Sequence, residues 1–387
     1  MNEKIWHRDF ILLILSNFLM YITYYAILSA LPIYLVSDLH ASKMQVGVVV
    51  GVYTVASVLV RPFSGFALDK FGRRTVFLSA LVIYTLLFAG YLIAITIASL
   101  IILRFAQGLT WGFTTVSGST IAVDNIPVSK RGQGIGYFSL STTLGMSVGP
   151  VIGLFICHQW GYTAMFITGC FISISSLACA YLVHLRKRFL VRKHIQLKWN
   201  SLFEKSSIRP SLNVFITMIA YGGLVSFIAL YGREIGIQNS SLYFLVFSIG
   251  IAAARLTAGK EFDRHGPGKI ITLCLILLII GFPLLALAKN AVLFYTSAII
   301  IGFGNGVIFP TFQSMVNNLA DSAHRGVANS TLYTAVDLGM GFGMIMAGLI
   351  AQNISISSIF WINSLVCLAG LIFFRFSVLR YYESTDN

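Results

Sequence analysis

Apolar residues along this chain come in long runs broken by short polar punctuation. Windows of about 20 apolar residues, the length that crosses a bilayer's hydrocarbon as a helix, predict twelve spans: 9–36, 44–63, 74–96, 98–123, 131–156, 162–185, 211–232, 239–259, 269–288, 291–318, 326–352 and 355–376. In lipid every backbone N–H and C=O needs an internal partner, which favours helices over irregular segments. Barrel strands would be about 10 residues long with strict alternation, and that alternation is missing here. The breaks on one side are as short as Ala98-Ser99 and Lys289-Asn290, too short for an outer receptor or catalytic domain. The only long polar stretch, Arg186 to Arg209, carries eight Lys and Arg residues and the acid Glu204. The expected architecture is an all-α membrane protein of two pseudo-symmetric six-helix bundles, residues 1–185 and 211–387, joined by a basic cytoplasmic linker at 186–210.

The chain also repeats itself at an offset of 194 residues. Arg61, Gly65, Asp69 and Gly72 meet Arg255, Gly259, Asp263 and Gly266. Further on, Gly112 meets Gly306, Arg131-Gly132 meets Arg325-Gly326, and Gly145 and Gly149 meet Gly339 and Gly343. Glycine matches alone arise readily in membrane sequence, but Arg and Asp are rare in this chain and still match in register. Two similar halves are the arrangement in which transporter halves rock about a shared midplane site.

Composition agrees. The chain is 57% hydrophobic and 10% charged, against about 25% charged for a soluble domain. Its net charge of +14 follows from topology. Of the 27 Lys and Arg, 23 fall on the side that holds both termini; three (Lys43, Arg233, Lys289) fall on the other side and one, Arg104, inside a span. That bias puts both termini in the cytoplasm and leaves no charge for nucleic-acid binding to explain. The first span outruns the 7–15 apolar residues of a signal-peptide core and is expected to be retained. The five cysteines are scattered through apolar helices, with no Cys-x-x-Cys or Cys/His cluster, so no metal site or disulfide framework is implied. No P-loop or nucleophile triad is present; neither enzymatic chemistry nor a cofactor is expected.

Between spans two and three runs Gly65-x-x-x-Asp69-Lys70-x-Gly72-Arg73-Arg74. Its glycines permit a tight turn, Asp69 can accept hydrogen bonds or face a helix N-terminus, and Arg73 and Arg74 can pair with Asp124 at the end of span four. This loop resembles the hallmark of the major facilitator superfamily at every fixed position, and the twelve spans, the repeat and the basic central loop extend the resemblance over the whole chain. The resemblance implies a latch that holds the halves together on the cytoplasmic side, with Gly259, Asp263, Arg264 and Gly266 as its second copy. Gly145-x-x-x-Gly149-Pro150-x-x-Gly153 in span five resembles the motif of the superfamily's drug and proton antiporters and points to export; it is expected to pack where the two halves meet. Generic helix packing through small residues also accounts for it, and Leu154 stands where that motif has a further glycine. Phe294-Tyr295, Pro310-Thr311 and Asp337-Leu338-Gly339, with Arg61-Pro62, resemble the branch that holds the staphylopine exporter, which secretes an opine-type metal chelator.

Two intramembrane charges stand out, since such residues are costly and usually functional. Arg104 lies in Arg104-Phe105-Ala106-Gln107-Gly108, which resembles the family's signature in span four and implies a part in coupling; a structural arginine bonded to helix ends is the competing reading. Asp337 is the only carboxyl deep in a predicted span. Burial favours its neutral form, so it is either a proton-exchanging group or a hydrogen-bonded strut. Asn17, Tyr21, Tyr24, Trp111, Thr114, Tyr221, Asn305 and Gln313 lie on spans one, four, seven and ten, which line the cavity in the family; interface anchoring and helix–helix bonding compete for the same residues.

The expected function is a secondary active transporter, a proton-coupled exporter of a drug-like or metallophore-like small molecule, monomeric and multi-pass in a bacterial plasma membrane. An importer of a nutrient, or a non-transporting sensor on the same scaffold, is the alternative. The latch reading yields a test: Asp69→Asn should abolish transport while leaving membrane insertion intact, and normal flux in that variant would remove the latch role.

Overall fold

The computed structural model describes residues 5–127, 131–184, 204–237, 239–240, 242–265, 267–320 and 325–386. Among them there is no strand. The long helices are α1 (Arg8–Ser37), α2 (Lys43–Phe71), α3 (Arg73–Ala89), α4 (Ile97–Asn125), α5 (Arg131–Tyr181), α6 (Ile208–Glu234), α7 (Leu242–His265), α8 (Pro267–Ala286), α9 (Ala291–Leu319), α10 (Arg325–Asn353) and α11 (Ile356–Phe373). A short α12 (Leu379–Asp386) follows.

At 51 residues, α5 would be about 75 Å long if straight, against roughly 30 Å of hydrocarbon. It is broken at Gly161, where φ is 81° and ψ 176°. Only glycine adopts that conformation without strain, and no atom lies within 4 Å of where its Cβ would stand. Backbone conformation, rather than space, therefore selects glycine there. The legs on either side correspond to the separate spans 131–156 and 162–185 read from the sequence, and with α5 counted twice α1–α11 are consistent with twelve passes.

Turns are correspondingly short and capped. Gly72, at φ 89°, is the single residue between α2 and α3, which explains the glycine at that place in the loop motif. The Thr96 hydroxyl accepts from the Ser99 N–H in a capping box at the start of α4. Asn290, 194 residues on, accepts from the Leu293 N–H at the start of α9, so the repeat extends to the caps.

The chain divides into two compact units, Met1–Tyr34 with Val55–Gln196, and Leu35–Thr54 with Leu197–Asn387. The second thus includes Leu35–Thr54, which the sequence reading places in the first half. Glycines account for this. A Cβ on Gly47 would stand 2.9 Å from the Gly348 Cα, and one on Gly51 3.0 Å from the Gly341 carbonyl. The Lys43 N–H donates to Gln352 Oε1 at 3.0 Å, and the Lys43 ammonium pairs with Glu234 at 3.7 Å.

Inside each unit the repeat appears as one packing scheme used twice. Gly112 of α4 lies on Ser57 and Val60 of α2, and Gly306 of α9 on Ile251 and Ala254 of α7, with all four contacts displaced by 194. Gly145, Gly149 and Gly153 of α5 lie on Phe18–Ala26 of α1; Gly339 and Gly343 of α10 lie on Phe215–Ile219 of α6. This corrects the expectation that the α5 stripe packs where the halves meet. Its glycines face the α1 backbone of their own unit, at 2.8 Å from the Gly149 Cβ position to the Ile22 carbonyl and at 2.6 Å from that of Gly153 to the Ala26 carbonyl. Reciprocal bonds between Ser16 and Ser176 tie α1 to α5 elsewhere. Gly149→Val should therefore loosen the first unit by about 1–3 kcal/mol, the usual cost of overpacking. Its midpoint of thermal unfolding in detergent should fall, and an unchanged midpoint would contradict the α1–α5 contact.

Candidate functional site

In the first unit the candidates gather around Arg104, which is 1% exposed. A guanidinium buried this way needs compensation from aromatic faces and dipoles. Its central carbon lies 5.9 Å from the centre of the Tyr24 ring. Tyr91, in the 3₁₀ turn that ends α3, donates to Gln107 Oε1 at 2.7 Å. The three-residue spacing of Arg104 and Gln107 puts both on one face of α4. Gln107 Nε2 is buried without a hydrogen-bond partner among the described residues.

One turn or two further along α4, Trp111 stacks on Tyr24 at 4.6 Å, meets Tyr21 edge-on at 4.9 Å and lies 6.2 Å from Tyr84. The Tyr84 hydroxyl is bonded to Thr23 on α1 at 3.2 Å. An aromatic wall thus continues from the buried cation. Tyr21, half-buried, is its most open member. Asn17 and Thr114 are not part of this wall's chemistry. Asn17 donates to Ser141 and Thr142 and ties α1 to α5, while Thr114 is buried and donates to the Trp111 carbonyl of its own helix.

In the second unit the polar residues form a ladder between α9 and α10. Gln313 donates to Asn329 Oδ1 at 3.3 Å and contacts the Tyr333 hydroxyl at 3.5 Å, and Asn329 donates to Asn317 at 2.7 Å. Asn329, Tyr333 and Asp337 follow at four-residue spacing along one face of α10. Asp337 is buried at 9% exposure. Tyr221 of α6 is buried and stacks on Phe247 at 6.3 Å. Asn305 donates back to the Ile301 carbonyl of its own helix.

The loop motif is placed in part. Gly65 and Asp69 lie in α2, Gly259, Asp263 and Arg264 in α7, while Gly266 is outside the described residues; for Asp69, Asp263 and Arg264 the backbone alone is described. Arg73 forms an ion pair with Asp124. Arg74 instead donates to the Tyr181 carbonyl at the end of α5 at 3.0 Å and lies over that ring. Pro150 lies inside α5. The described residues include no group of His, Cys, Asp or Glu side chains placed to hold a metal, and the five cysteines are free thiols.

Tyr84, Tyr91, Asn329 and Tyr333 are absent from the residues singled out by sequence. The last two carry a readable signal, since they stand four and eight residues before Asp337. Tyr91 carries none, because its role depends on the 3₁₀ turn that closes α3.

Comparison with known proteins agrees with a multi-pass membrane transporter. Residues 13–246 and 210–386 match the model of the Major Facilitator Superfamily, and the chain belongs to that superfamily. Among curated relatives, the staphylopine export protein of Staphylococcus aureus (strain Mu50) is 22% identical over 353 residues, covering 87% of each chain. The multidrug resistance protein MdtG of Klebsiella pneumoniae is 24% identical over 392 residues, covering 97% of this chain and 94% of its own. The multi-drug resistance efflux pump PmrA homolog of Lactococcus lactis is 23% identical, covering 97% and 96%. Among solved structures, the nucleoside transporter NupG superposes with a TM-score of 0.76 at 15% identity, over 97% of this chain and 100% of its own. The human organic anion transporter MFSD10 reaches 0.74 at 17% identity, over 95% and 98%. The protein is a membrane transporter of a small molecule and not an enzyme.

The bond from Tyr91 to Gln107 can be tested alone. Tyr91→Phe keeps the ring but leaves the buried Gln107 Oε1 short of its partner, at a cost of about 1–3 kcal/mol. The variant should melt earlier in detergent than the parent protein, and equal melting would show that the hydroxyl holds nothing.

Proposed function

We propose that this transporter exports a drug-like or metallophore-like small molecule by alternating access, driven by protons that enter through Asp337. The observation that carries the reading is the buried carboxyl of Asp337, on the same α10 face as the Asn329 and Tyr333 that bond α9. An ionised carboxylate at mid-bilayer costs at least about 2.5 kcal/mol on insertion scales. A protonated one avoids that cost and can release its proton when water reaches it. Export, rather than uptake, is supported by the names of the relatives in Staphylococcus, Klebsiella and Lactococcus and by the resemblance of the α5 glycine–proline stripe to the antiporter motif.

In this reading Arg104, with its Tyr24, Tyr91 and Trp111 neighbours, is the candidate for cationic and aromatic substrate contact in the first unit, and Tyr221 and Gln313 are the candidates for polar contact in the second. Asp69, Arg73 and Asp124, with the second copy in α7, form the cytoplasmic latch. The distribution of Lys and Arg supports cytoplasmic termini in a bacterial plasma membrane, and a monomer suffices, since each chain carries both halves.

Two measurements test this. Comparing metabolites in spent medium from cells with and without the protein should reveal a compound that accumulates outside. Depletion of a medium nutrient would instead make the protein an importer. With that compound in proteoliposomes holding a pH-sensitive dye, Asp337→Asn should abolish compound-dependent proton uptake while the compound still binds. Unchanged proton movement would transfer the coupling role to another group.

A further inference from the structure

On the outer surface of the second unit, α8 and the end of α11 enclose an open groove of about 390 Å³, lined by Lys269, Thr272, Leu273, Ile276, Leu371 and Arg375. The four α8 residues stand at spacings of three and four, so they form one stripe along that helix. The stripe is polar at its start and apolar beyond. Lys269 and Arg375 are both exposed at the mouth, where α8 begins and α11 ends. Leu273 and Ile276 are 50% and 40% exposed, and they continue about 10 Å toward mid-helix at 1.5 Å per residue.

Three observations separate this groove from ordinary lipid-facing surface. No carboxylate among the described residues lines it. Neither Lys269 nor Arg375 has a hydrogen-bond or ion-pair partner among the described residues, whereas Lys43 and Arg73 both do. Arg375 also lies in a π-helical turn, Phe374–Val378, a local widening that recurs frequently at functional sites. Two cations at the rim of an apolar channel match a phosphate joined to an acyl chain. Basic pockets between spanning helices recognise lipid headgroups in this way.

We infer that this groove is a specific site for one anionic glycerophospholipid, its phosphate held between Lys269 and Arg375 and an acyl chain lying over Leu273, Ile276 and Leu371. A zwitterionic lipid offers the same phosphate but brings its own cation against these two, so the site discriminates by headgroup charge.

Native mass spectrometry of the full chain, titrated in detergent with phosphatidylglycerol or phosphatidylcholine, tests this. The parent protein should take up a saturable phosphatidylglycerol adduct in preference to phosphatidylcholine. Each cation near a headgroup contributes about fivefold, so K269Q or R375Q should weaken the phosphatidylglycerol adduct about fivefold and the double variant roughly 25-fold. Lys269→Arg should retain it. Leu273→Trp, which fills the groove, should weaken binding of both lipids. Lys289→Gln, at the other end of the α8–α9 hairpin, should change nothing. Equal binding of the two lipids by the parent protein, phosphatidylglycerol binding undiminished in the double variant, or an equal loss in Lys289→Gln would each overturn the proposal.

Discussion

Hydrocarbon outside the protein is as apolar as leucine, so there is no hydrophobic force to press one spanning helix against another. What remains is close contact, and close contact requires that side chains be absent where helices cross. That constraint explains the placement of the interior glycines described above. Gly112 on α2, Gly145 to Gly153 on α1, Gly306 on α7, and Gly339 and Gly343 on α6 each bring one helix against the backbone of another. Side-chain bonds such as Asn213 to the Gly370 carbonyl and Asn363 to the Ala220 carbonyl reinforce a geometry that the glycines permit.

The same comparison separates scaffold from chemistry. Glycine crossings and helix caps occur twice, 194 residues apart. The buried charged and aromatic groups of the candidate site do not. The position matching Arg104 is Ala298, that matching Tyr91 is Leu285, and that matching Asp337 is Thr143. One unit therefore carries a buried cation among tyrosines and a tryptophan, and the other a buried acid beside an amide ladder. Two copies of one packing solution hold unlike polar cores.

Much of this was legible in the sequence because lipid imposes strong rules. Span lengths follow bilayer thickness, and the repeat follows from Arg and Asp matches. A tight turn in the loop motif follows from its glycines. Legibility stopped where the partner depends on three dimensions. Nothing along the chain says that α5 turns its glycines toward α1, or that Leu35–Thr54 clusters with the second unit. Nor does it say that Arg74 reaches the Tyr181 carbonyl while Arg73 takes Asp124. Spacing could mark Asp337 and Arg104 as costly residues; it could not show that the tyrosine beside Arg104 comes from a 3₁₀ turn on a neighbouring helix.

The contact of Gly47 with Gly348 also has a meaning in time. About 300 residues separate the two, and ribosomes add roughly 5–20 residues per second, so α2 waits on the order of 15–60 s after its own synthesis for the helix it packs against. During that interval the bare backbone of Gly47 and Gly51 is available to any other small-residue surface in the membrane. The glycines that let α2 and α10 approach so closely in the finished protein thus make α2 a place where assembly can go astray until α10 arrives.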